Sequence, residues 1–218
     1  MKNLGLIISQ TKRSLSYLKI LRKIDIKLDV IIVYGNEAEN LKKYNSFKSK
    51  IYYFKGKKMS NLISNKILSL ATKNFIVSPY PGEIIKDENL LKKKNLFHVH
   101  PGKLPEYKGS TIIYYSILNK KKIYCSVIKL SKNLDQGKVF FRKSFITPAS
   151  LNESNYNSFD NKIRSLTIKS FISKAPKLIK QNKYKYFENY FVIHPILRKI
   201  AFDKKFKKKL SLYIKKNF

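Results

Sequence analysis

A chain of 218 residues has room for one domain with a sizeable core, or one domain with a small appendage, and excludes two full catalytic domains. Its 43% hydrophobic content, with 15 Tyr and 14 Phe against seven Gly and seven Pro, excludes a disordered chain. The formal net charge of +34 raises the prospect of a polyanion partner, but only five of the 47 basic residues are Arg, the side chain suited to bidentate phosphate recognition, so the charge reads first as a solvated lysine surface.

Leu4 to Ser9 is a short apolar run typical of a buried strand, too short for the apolar region of a signal peptide. Thr11 to Ile24 then places Leu15, Leu18, Leu21 and Arg22 at helical spacing, and Leu28 to Tyr34 is again strand-like. Strand, helix, strand at this spacing predicts a right-handed crossover and a parallel sheet. Residues 37 to 48 are polar and helix-prone, 50 to 54 predict a short aromatic strand, and Ser60 to Thr72 predicts an amphipathic helix, followed by a strand over Phe75 to Ser78. The first hundred residues thus predict a doubly wound α/β domain with a mostly parallel sheet and flanking helices. No GxGxxG or GxxxxGK[ST] string occurs, which removes local support for a dinucleotide or Walker-type site.

Where Leu96-Phe97 meets His98-Val99-His100-Pro101-Gly102, an extended strand would turn both imidazoles to one side with Val99 behind them. Pro101 and Gly102 end the strand there, placing both His at its carboxyl end, where open α/β sheets put their ligand sites. Ser110 to Leu118 predicts a helix capped by Ser110 and Thr111; Ile123 to Leu130 and Lys138 to Phe145 predict two strands joined across Asp135-Gln136-Gly137. Cys125 stands alone, so it offers neither an intramolecular disulfide nor a metal set, and it reads as a buried, inert residue of a reducing cytoplasm. Ser154 to Lys180 predicts a long helix with Phe159, Ile163, Leu166, Phe171, Leu178 and Ile179 on one face, interrupted or ended near Pro176. Residues 187 to 193 read as extended, His194 as a structural residue beside Pro195, and the remainder as a lysine-rich helical tail. The organisation expected is a domain over 1 to 150 and a small helical C-terminal extension over 151 to 218 packed on it, soluble, cytoplasmic and without a spanning helix or bound metal.

The string HPGKLPEYKGS resembles the signature of the folate-dependent formyltransferases, in which Asn, one residue and His lead into Pro or Gly, then Leu-Pro and a later Gly. Leu134-Asp135-Gln136-Gly137 resembles that family's Asp-x-Gly loop, and Tyr80-Pro81-Gly82-Glu83-Ile84-Ile85 resembles the segment leading into its folate pocket. The resemblance covers roughly residues 1 to 150. It implies the formyltransferase fold, 10-formyltetrahydrofolate as formyl donor, and transfer of the formyl group to a primary amine.

His98, His100 and Asp135 are the implied catalytic residues; Tyr80, Gly82, Ile84, Ile85 and Leu134 are the implied folate-binding ones. His100 is expected to take or relay the amine proton and Asp135 to orient it. His98 stands where the family has Asn, and its N–H is expected to donate to the oxyanion in place of the amide. Ser9-Gln10-Thr11 replaces the Gly-Ser-Asn phosphate turn of the glycinamide ribonucleotide enzymes, which argues against purine synthesis. The acceptor implied is the amino group of a nucleotide-linked sugar. The alternatives are a methionyl-tRNA formyltransferase-like enzyme, a formyl-folate hydrolase, and an inactive basic relative that binds nucleic acid.

Overall fold

The apolar runs LGLIIS and VIIVYG form two strands buried along their whole length, β1 (Leu4–Ser9) and β2 (Val30–Gly35), in a computed structural model that describes residues 3–36, 47–119, 122–174 and 189–203. Strands apolar on both faces need helices on both faces, which is the economy of a parallel sheet. With β3 (Lys50–Lys55), β4 (Asn74–Ser78), β5 (Asn95–His100), β7 (Ile123–Lys129) and β8 (Val139–Phe145) they build a seven-stranded sheet in the order β3-β2-β1-β4-β5-β7-β8. The pairings from β3 to β5 are parallel, and β7 and β8 join antiparallel. Two further short strands, β6 (Lys108–Gly109) and β9 (Asn189–Tyr190), pair with each other. The order reverses between β1 and β4, so a crevice opens at the carboxyl ends of the central strands.

The helices are α1 (Lys12–Lys23), α2 (Asn61–Ser69), α3 (Glu88–Lys93), α4 (Ile112–Leu118), α5 (Tyr156–Ser173) and α6 (Pro195–Phe202). A side-chain oxygen caps the starts of α1, α2 and α3: Thr11, Ser60 and Asp87 accept the backbone N–H of Ser14, Ile63 and Leu90. Thr111 occupies the N-cap position of α4 as expected but makes no capping bond. Its φ is +54°, and its hydroxyl instead accepts the Ile193 N–H at 2.9 Å, tying the segment after β9 to α4. His194 is structural, as expected: it is the N-cap of α6 and its Nδ1 accepts the Ile196 N–H at 3.3 Å.

One core layer packs α1, α4 and α5 on the sheet through Leu18, Leu21, Val99, Ile113, Ile163 and Phe171; the opposite layer packs α2 and α3 through Ile63, Ile67, Leu90 and Leu91. Cys125 is fully buried in the first layer, where burial pushes its thiol up to about 12. The long helix is shorter than its periodicity predicts, ending at Ser173. Leu166 is half-buried while Arg164 turns inward, donating to Asp160 Oδ1 at 2.8 Å and to the Val99 carbonyl at 2.6 Å. An arginine among apolar residues at the same helical spacing is invisible to hydrophobic periodicity, and its partners explain its burial. Leu178, Ile179, Pro176, nearly all of the polar helix expected over 37 to 48, and the tail beyond 203 lie outside the described residues. Among the described residues no helix is long and apolar enough to cross a membrane.

Candidate active site

The alternation of β5 delivers His98 and His100 to one face, while Phe97 and Val99 face the α1 and α5 layer. His98 pairs in register with Val77 of β4, and its Nδ1 lies 3.2 Å from the Val77 carbonyl oxygen. Burial, then the positive charges of Arg13 and Arg164, hold the His98 ring down to about 3, so it is neutral at physiological pH.

His100 sits deeper, 3% exposed, with Nε2 2.8 Å from the Tyr107 carbonyl and Nδ1 3.2 Å from Asp135 Oδ1. Gly102 makes the first contact possible. A Cβ there would stand 2.6 Å from the Tyr107 carbonyl and 2.7 Å from His100 Nε2, between the two atoms that meet. The Leu104-Pro105 bond is cis within this turn, and the Leu104 N–H donates to Ser126 Oγ at 3.1 Å. The HPG and LP steps of the motif therefore shape the loop that receives the second imidazole.

Asp135 lies in the β7–β8 connection, its backbone at φ +53°. One carboxylate oxygen faces His100 and the other accepts the Gly109 N–H at 3.0 Å. Burial would raise this carboxyl, but the bonds from His100 and Gly109 outweigh it and hold the group below the usual carboxylate value. Two residues on, Gly137 packs so closely on β7 that a Cβ would fall 1.8 Å from the Lys129 carbonyl oxygen. This contact fixes where the loop, and so Asp135, sits. His98, His100 and Asp135 thus converge from two elements distant in sequence.

His98 and Asp135 border a pocket whose walls are Pro79, Ile84, Ile85, Ile128, Leu130 and Leu134, with Glu83, His98, Ser131, Asn133 and Asp135 as its polar groups. Three of the five expected folate residues, Ile84, Ile85 and Leu134, line it. Tyr80 and Gly82 do not: the Tyr80 ring packs edge-on against Tyr34 with centroids 5.7 Å apart, and Gly82 supplies a turn at φ +78°. Both shape the wall from behind. Aliphatic walls around a cluster of hydrogen-bonding groups suit a flat heteroaromatic ring with polar edges, so these residues fit a pterin.

Glu83 escaped the sequence reading. Its carboxylate accepts the Tyr34 hydroxyl at 2.6 Å, the Met59 N–H at 2.6 Å and the Tyr80 N–H at 3.0 Å, which fastens the 79 to 85 loop to β2 and to the approach to α2. Its only signal was a carboxylate between a glycine and two isoleucines. Ile128, Leu130 and Asn133 carry no local signal, since antiparallel pairing alongside β5 brings Ile128 and Leu130 to the site and the β7–β8 loop brings Asn133. Arg13 of α1 donates to Ser78 Oγ at 3.2 Å and to the Pro79 carbonyl, holding the loop after β4.

No family model matches the chain. Over 123 residues, 56% of its length, it is 30% identical to the methionyl-tRNA formyltransferase of Prochlorococcus marinus (strain AS9601). It spans 36% of that relative's length. In structure it is similar to a sugar N-formyltransferase from Shewanella sp FDAARGOS_354, with TM-score 0.62 and 14% identity over 93% of this chain and 87% of the other. It is also similar to an N-formyltransferase from Helicobacter canadensis solved with folinic acid and dTDP-3-aminofucose, with TM-score 0.55 and 16% identity over 88% of this chain and 71% of the other.

Proposed function

From the premise that this chain has the formyltransferase fold, we propose that it is a folate-dependent N-formyltransferase whose donor is 10-formyltetrahydrofolate and whose acceptor is the amino group of a nucleotide-linked sugar. The observation that carries the reading is the convergence of His98, His100 and Asp135 beside a pocket walled by Ile84, Ile85 and Leu134. The donor supplies an electrophilic formyl carbon. Ile84, Ile85, Ile128 and Leu134 would grip its ring system, and the polar groups of the pocket would meet the ring edges and the reacting atoms. The pair of His100 and Asp135 keeps the loops around the reacting centre in register.

The amino-sugar acceptor is supported by the two structural relatives, one described as a sugar N-formyltransferase and the other holding dTDP-3-aminofucose. A second reading, formylation of methionyl-tRNA, is favoured by the 30% identity over 123 residues and by the +34 charge. Catalysis is proposed for residues 1 to 150, with 151 to 218 as an extension packed on the same domain; Arg164 of α5 already reaches β5 from it.

An absorbance assay with 10-formyltetrahydrofolate and a panel of dTDP- and UDP-linked amino sugars, with methionyl-tRNA alongside, tests this. Amine-dependent tetrahydrofolate release with a sugar nucleotide is the expected result. Turnover on methionyl-tRNA alone would select the second reading, and no turnover with any amine would sink both.

A further inference from the structure

We propose that His98 turns the lone pair of Nε2 toward the pocket and takes the proton leaving the acceptor amine, while His100 is a positioning residue that clamps Asp135. The inference rests on the proposed formyl transfer and assigns the proton's path within it.

The argument begins with the direction of one hydrogen bond. Val77 offers His98 a carbonyl oxygen, which can only accept, so the 3.2 Å contact requires the proton on Nδ1. A neutral imidazole carries one proton. Burial and the charges of Arg13 and Arg164 keep the ring neutral, which leaves Nε2 as an acceptor. Among the described residues Nε2 makes no hydrogen bond, and it is not among the sealed polar atoms that lack a partner, while His98 itself lines the pocket. An N–H aimed at an oxyanion, the role expected from the replaced Asn, would need the opposite tautomer.

His100 is arranged in the contrary way. Both its nitrogens meet acceptors, Asp135 Oδ1 at one side and the Tyr107 carbonyl at the other, and it does not line the pocket. Both nitrogens are turned to those partners, so neither is directed at the amine. The charged and titratable groups facing His98 are Arg13 from α1, Arg164 from α5, His100 on its own strand and Asp135 from the β7–β8 loop. Glu83 from the loop after β4 shares the pocket.

The step balances as follows. The amine nitrogen bonds the formyl carbon and the bond from that carbon to the folate nitrogen breaks. The proton leaving the amine passes to Nε2 and from there to the departing folate nitrogen, so His98 ends as it began. The amine nitrogen becomes acidic as its lone pair is committed to carbon, and Nε2 then has only to pass the proton on to the departing nitrogen.

Long-range 1H–15N NMR correlations on the full chain test the tautomer directly, with His98 assigned from His98→Asn and His194→Gln. The expected pattern from about pH 5.5 to 7.5 is a protonated Nδ1 and a bare Nε2 at His98. A protonated Nε2, or an imidazolium near neutral pH, overturns the inference. In parallel, His98→Asn should bind 5-formyltetrahydrofolate within about threefold of wild type yet lose about 10²-fold in kcat. Near-normal kcat in that variant also overturns it, because an amide cannot take a proton. Should the variant fail to fold, assigning the wild-type His98 ring through its backbone resonances lets the wild-type spectrum still decide. The wild-type assay with amines separately judges the formyltransferase reading, so the two can fail independently.

Discussion

His100 Nδ1 stands 3.2 Å from Asp135 Oδ1, and the second oxygen of the same carboxylate accepts the Gly109 N–H at 3.0 Å, so one side chain joins the end of β5, the short strand β6 and the β7–β8 loop. An amide in its place could accept from one partner only and would turn N–H groups toward the other. Asp135→Asn should lower kcat by about 10²-fold while leaving 5-formyltetrahydrofolate affinity within a few-fold, since the pterin is gripped mainly by aliphatic walls. Steady-state kinetics beside a fluorescence titration would separate the two, and an unchanged kcat would remove Asp135 from the site.

The neutral ring of His98 makes stability depend on acid. In the unfolded chain this imidazole binds a proton below about 6.5, whereas in the fold it stays neutral until about 3. Between those values the unfolded state holds more protons, so stability rises with pH and is lost as pH falls, at no more than about 1.4 kcal/mol per pH unit from this one group. Asp135 acts lower. Its depressed value adds stability that is present above the ordinary carboxylate range and disappears as pH falls through the folded value. Thermal unfolding of wild type and His98→Asn from about pH 4 to 7 should therefore diverge, with the variant losing less on acidification. Parallel curves would show that His98 is not held neutral.

The parts of this molecule that were legible in its sequence are those fixed by local periodicity. LGLIIS and VIIVYG read as buried strands, and the alternation of HVH puts two imidazoles on one face. What stayed hidden depended on contacts across the chain. The partner of His100 Nε2 is a backbone carbonyl brought round by the turn at Gly102, and no side-chain pattern announces a carbonyl. Helix α3 holds only six residues, too few to display a period, although Asp87 caps it clearly. Neighbours in the chain need not be neighbours at the pocket, and Tyr80 and Gly82 are the case in point. The turn at Gly82 instead sends Ile84 and Ile85 forward and leaves Tyr80 packed on Tyr34.

Arg164 illustrates the energetic side of that hidden layer. The residue is 8% exposed, and its guanidinium depends on Asp160 and the Val99 carbonyl. Asp160→Ala leaves this cation buried without its carboxylate, a change that costs about 3–5 kcal/mol. Urea unfolding should report that loss, and Arg164→Met in the same background should recover part of it by removing the stranded charge. A double variant no more stable than Asp160→Ala alone would mean that the pair is not an isolated charge balance.

Glu83 governs the wall of the pocket rather than its chemistry. Its two oxygens face three donors: the Tyr34 hydroxyl, the Met59 N–H and the Tyr80 N–H. Burial and the bond to this carboxylate push the Tyr34 hydroxyl well above its usual value, so it remains a donor. In Glu83→Gln one of the oxygens becomes an NH2 group, and at least one contact becomes donor against donor. Leaving such a group unsatisfied costs about 1–3 kcal/mol, enough to loosen the loop that carries Ile84 and Ile85. The expected outcome is a rise of about tenfold in the dissociation constant for 5-formyltetrahydrofolate, with a proportionally larger KM for the formyl donor and a smaller change in kcat. Because Gln keeps the size of Glu, a fall confined to kcat would instead place the Glu83 carboxylate among the reacting groups.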